Sequence, residues 1–128
     1  MQSTFDHIVE GHRVVQEATT RILGSTDVEE VAQQLEGLAE VLPDHFSYEE
    51  RPAGYFDHLR DSLPGKAARR LAKFVDDHRY MEGELQDLLE AEARDQAWLN
   101  WAHEFARNVR DHEADEAALA AAAESSAE

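Results

Sequence analysis

The chain contains no cysteine. That excludes disulfides, zinc–thiolate sites, iron–sulfur clusters and thiol catalysis, and leaves imidazole, carboxylate or water to hold any transition metal, a donor set suited to iron, manganese or zinc. Glycine and proline are scarce too, six and three among 128 residues, while Ala, Leu, Glu, Gln and Arg are abundant, which points to helix throughout. Positive charge is in short supply. Twelve Lys and Arg stand against 28 Asp and Glu, a formal charge of −16, and such a surface repels phosphate and anionic lipid, which argues against nucleic-acid and membrane partners. No apolar run approaches the roughly 20 residues that span a bilayer. The opening MQSTFDHIVEGHR lacks the basic-then-apolar pattern of a signal peptide, so a cytoplasmic protein is expected.

A chain of this length is one domain, able to bury a core without covalent staples. Periodicity predicts four long helices. The first runs from about Ser3 to Leu23, capped by Ser3 or Thr4 and stopped by Gly24-Ser25, with Phe5, Ile8, Val9, His12, Val15, Thr19, Ile22 and Leu23 on its apolar face. The second starts at Thr26 or Asp27, carries Val31, Leu35, Leu38, Val41, Leu42 and His45, and ends near Arg51-Pro52, with a kink or short break expected at Pro43. The third covers about 67–92 and turns Leu71, Phe74, Val75, His78, Met81, Leu85 and Leu89 inward. The fourth covers about 95–123 with Trp98, Trp101, Phe105, Val109, His112, Glu116 and Leu119 inward. One short helical turn is expected between Pro52 and Lys66. The expectation is therefore an all-α fold, an antiparallel up-down four-helix bundle over 1–123 with a frayed tail at 124–128.

Within that frame His12, His45, His78 and His112 fall 33, 33 and 34 residues apart, one on the apolar stripe of each helix. His45 is followed four residues on by Glu49, and His112 by Glu116. Residues i and i+4 share a helix face, so each pair offers an imidazole and a carboxylate to one place. Buried imidazoles need partners and buried carboxylates are costly unless paired or metal-bound. A dinuclear metal centre held by His12, His45, Glu49, His78, His112 and Glu116 satisfies all six. A solenoid with the same interval is rejected, because the apolar positions between the histidines do not recur in register. Glu50 and Glu113 are the expected orienting partners of imidazole N–H groups; Tyr48 and His58 are possible neighbours of the centre, while His7 and His103 are expected at the surface.

These segments carry a resemblance. FDHIVEGHRVV around His12, HFSYEERPAGYF around His45, VDDHRYM around His78 and RDHEADEAAL around His112 are similar to the hemerythrin-like, or HHE cation-binding, family over nearly the whole chain. The resemblance implies a non-haem di-iron centre with His12, His45, Glu49, His78, His112 and Glu116 as ligands, and a small diatomic ligand, dioxygen or nitric oxide, bound or reduced there. Manganese or zinc would suit the same donors. The chain departs from the oxygen carriers of that family, which bear a second histidine on the third helix: Phe74 stands four residues before His78 and Glu82 four after, and Ala117, not a carboxylate, stands five after His112. Four histidines and two glutamates look more like the iron-repair, nitric-oxide-responsive and iron-sensing members, so iron as cargo is the alternative role, with Glu82 a possible seventh ligand. A ferritin-like site needs Glu-x-x-His, which the sequence does not contain.

Overall fold

The computed structural model describes residues 4–52, 54–62 and 65–127. Among them there are five helices and no strand: α1 (Thr4–Leu23), α2 (Val28–Glu50), α3 (Tyr55–Ser62), α4 (Lys66–Glu90) and α5 (Gln96–Ala127). None is long and apolar enough to cross a membrane.

The boundaries follow local chemistry. Gly24 N–H reaches the Thr20 carbonyl and Ser25 N–H the Ile22 carbonyl as α1 ends. Asp27 then caps α2, its carboxylate accepting from Glu29 N–H at 3.0 Å, with Glu29 and Glu30 facing the helix dipole in the first turn. Pro52 disfavours helical backbone at the residue before it, and Arg51 is accordingly extended, with ψ 153°. Pro43 does not interrupt α2, contrary to the expected break; its side chain is exposed, so the missing N–H costs one hydrogen bond on the wet side of the helix. Gly65, with φ 90°, makes the left-handed turn into α4. Asp95 accepts from Trp98 N–H at 3.0 Å where α5 begins, and the Trp98 indole donates to the Leu88 carbonyl at 3.0 Å, tying α4 to α5.

Each long helix packs on two others: α1 on α2 and α5, α4 on α2 and α5. The larger core gathers Val15 and Ile22 with Leu35, Leu38, Leu42, Phe46, Leu85, Leu88, Phe105 and Val109. A smaller one forms where the expected single turn is an eight-residue helix: Phe56 and Leu59 of α3 meet Leu71, Phe74, Leu119 and Ala123. Several inward assignments change. Val9 is 68% exposed, Leu88 is fully buried while Leu89 is only partly so, and helix α5 continues four residues beyond Ala123, through Ala, Glu and Ser residues that tolerate helix. His103 is half-buried and its Nε2 lies 2.8 Å from the Ser25 carbonyl, so it braces the α1–α2 connection and is not a free surface group. Ser3 and the side chains of Phe5 and His7 lie outside the described residues.

Candidate metal centre

Between the two cores lies a polar layer. His45, Glu49, His78, His112 and Glu116 are buried there, and His12 is partly buried. His12 comes from α1, His45 and Glu49 from α2, His78 from α4, and His112 and Glu116 from α5. All six predicted residues meet. One group of potential metal donors comprises His12, His45, Glu49 and Glu116, and a second comprises His78, His112 and Glu116, with the donor atoms of each group within 4.8 Å of one another. These groups can hold a metal ion, and Glu116 belongs to both.

His12 lies eleven residues before the end of α1 and His45 seventeen after the start of α2, an offset near 9 Å at about 1.5 Å per residue. The structure nonetheless brings His12 and His45 into one donor group.

The donor atoms of each group lie close enough together to share a cation. His78 Nε2 and His112 Nε2 are 2.9 Å apart, and His78 Nε2 is 3.0 Å from Glu116 Oε1, which His112 Nε2 also contacts. In the other group His45 Nε2 lies 3.6 Å from Glu49 Oε1, and His12 Nε2 lies 3.7 Å from Glu49 Oε2 and 3.8 Å from Glu116 Oε2. Donors bound to one ion at about 2.1 Å stand roughly 3 Å apart.

Three imidazoles turn the other ring nitrogen outward to a carboxylate. His78 Nδ1 donates to Glu50 Oε2 at 2.7 Å, His12 Nδ1 pairs with Glu113 Oε2, and His112 Nδ1 contacts Asp77 Oδ2 at 3.4 Å. A proton held at Nδ1 leaves the Nε2 lone pair facing inward, the tautomer a metal ligand requires. Glu50 and Glu113 thus contact the imidazoles as orienting partners. The sequence reading missed Asp77, whose signal was its position beside His78, since each of these three carboxylates adjoins a donor on its own helix.

Electrostatics ask for positive charge here. Both ring nitrogens of His45, both oxygens of Glu49 and Oε2 of Glu116 are buried without a hydrogen-bond partner, and such groups are expensive unless a proton or cation reaches them. Burial pushes the Glu49 carboxyl well above its usual range, and the neighbouring Glu116, Glu113 and Glu50 push it further. Burial acts the same way on Glu116, but the neighbouring Glu49, His112 and His78 overcome it and hold its carboxyl well below the usual range. Burial would lower His12 and His112; Glu113 outweighs it for His12 and Glu116 for His112, so both are raised. The donor set fits a divalent cation, which would replace those protons.

Aromatic rings wall the layer. Phe46 stacks on His78 with centroids 3.7 Å apart and planes 4° apart, Phe56 lies 5.6 Å from the same imidazole, and Phe74 meets His112 edge-on at 5.2 Å. On the opposite flank His12 and Glu113 border a cavity of about 530 Å³ between α1 and α5, lined also by Val15, Tyr55, Ala114 and Ala117.

No family model, curated protein or solved structure matches the chain. Glu82 pairs with Arg79 at 3.1 Å and the His58 side chain is exposed, and neither belongs to the donor groups; the Arg51 guanidinium covers the Tyr48 ring at 3.8 Å.

Proposed function

We propose that the chain is a hemerythrin-like protein in which an antiparallel up-down bundle holds two non-haem iron ions, His12 and His45 holding one, His78 and His112 the other, and Glu49 and Glu116 serving both. The observation that supports it most is the convergence of six buried or half-buried donors, drawn from all four long helices, into two groups that share Glu116. When bound, the iron pair supplies the capacity to bind or reduce a diatomic ligand such as dioxygen or nitric oxide. The chain's own residues do the rest. The outer carboxylates fix the imidazole tautomers, Phe46, Phe56 and Phe74 wall the inner faces of His78 and His112, and the α1–α5 cavity gives a small ligand access beside His12. A cytoplasmic location belongs to this reading.

A second role, storage, sensing or donation of iron itself, is favoured by one observation: the His12 side chain is 29% exposed, next to that cavity, which gives a cation a way in and out. Manganese and zinc suit the same donors. The visible spectrum of iron-loaded protein, recorded anaerobically and then in air, separates the roles. A charge-transfer band that appears with oxygen and reverses on degassing supports ligand carriage or sensing. Irreversible oxidation with release of iron supports the cargo role, and a folded protein that takes up no iron overturns both.

A further inference from the structure

The outer carboxylates form a directional ring. Glu50, beside Glu49 on α2, contacts His78 on α4. Asp77, beside His78 on α4, contacts His112 on α5. Glu113, beside His112 on α5, contacts His12 on α1. The remaining place belongs to the residue beside His12 on α1, facing His45 on α2, and that residue is Gly11. A Cβ built at position 11 would overlap His45 Nδ1, with Cε1 and Cγ both at 3.2 Å, so α1 backbone closes against the imidazole where the other three have a carboxylate. His45 Nδ1 is buried and has no hydrogen-bond partner. The inner side of His45 differs as well: its Nε2 is nearer to Glu113 Oε1, at 3.4 Å, than to Glu49 Oε1, at 3.6 Å.

We infer that this broken ring grades the two cation positions, so that the position of His78 and His112 fills first and tightly, and the position of His12 and His45 fills second and releases first. The inference rests on the two-cation reading above. An outer carboxylate fixes the tautomer of its imidazole and raises its basicity as a ligand, and its loss typically weakens metal binding 10- to 100-fold. The His78–His112 position has two such carboxylates and stacked aromatic cover. Among the described residues the His12–His45 position has one, Glu113. Glu113 meets the outer nitrogen of His12 through Oε2 and lies outside both donor groups; here it is a positioning residue.

The test is an anaerobic titration of the full-length apoprotein with ferrous iron, read by calorimetry and by iron retained after desalting. The expected result is two steps of one ion each, separated by at least about tenfold in affinity. Glu113→Ala should weaken only the second step, with Glu113→Gln restoring part of it because the amide oxygen still accepts from Nδ1–H. Glu50→Ala should weaken only the first. Two equal steps in the wild type, or equal loss of both steps in Glu113→Ala, would overturn the grading while leaving the two-cation reading intact. Binding of no iron by the folded wild type would instead overturn that underlying reading. A purely structural role for Glu113 would lower the melting temperature of the apoprotein and leave both affinities unchanged, which also overturns the inference.

Discussion

At the scale of single residues, Glu49 and Gly11 separate metal binding from stability. Glu49 is a fully buried carboxyl whose proton affinity is raised by burial and by the charges around it, so without a cation it is a cost to the fold. Glu49→Gln should leave the metal-free protein as stable or gain it on the order of 1 kcal/mol, while sharply reducing bound metal. Chemical denaturation and metal content of the same preparation check both halves; a large loss of apoprotein stability with metal retained contradicts the assignment. Gly11→Ala improves intrinsic helix propensity by up to about 1 kcal/mol, yet its new methyl group must displace the buried His45 ring. Metal affinity should fall about tenfold or more, and an unchanged affinity would mean that His45 is not a ligand.

At the scale of elements, helix α2 runs through Pro43. Because the side chain is exposed, Pro43→Ala restores a helix hydrogen bond without disturbing the core, and thermal denaturation should show a gain of about 1–2 kcal/mol; a loss would mean that the proline sets a bend the centre needs. The four long helices and the convergence of His12, His45, Glu49, His78, His112 and Glu116 were legible in the sequence because apolar periodicity and i, i+4 spacing are local properties. The continuity of α2 was not, since whether a helix absorbs a proline depends on which face it presents to solvent. The second turn of α3 was not legible either, because Phe56 and Leu59 hold their helix by packing on Phe74 and Leu119. Asp77 on His112 and Gly11 on His45 depend on which helices are neighbours, information that no single segment carries.

At the scale of the whole molecule, the acidic centre makes stability depend on what supplies its positive charge. His12, His112 and Glu49 are all raised from their ordinary values. The histidines contribute stability fully below their unfolded value of about 6.5 and lose it as pH rises through their higher folded values, and Glu49 acts in the same sense from about 4.5 upward. Glu113 and Glu116 are lowered, so their contribution is present above about 4.5 and is lost only on acidification. The metal-free protein should therefore melt at progressively lower temperature as pH goes from 6.5 to 8. With metal present the trend should reverse, because cations displace those protons and bind better as pH rises. Parallel melts at pH 6.5 and 8, with and without chelator, test this; identical slopes would show that the cation does not occupy the protonated cluster.

The most direct measurement is the number of metal ions per folded chain, by elemental analysis of protein loaded anaerobically with ferrous iron and freed of excess. The wild type should hold two, and a variant in which His45 and His78 are both replaced by Ala should hold none while remaining helical. A folded wild type with no bound iron, or a double variant that keeps both ions, would contradict the centre described here.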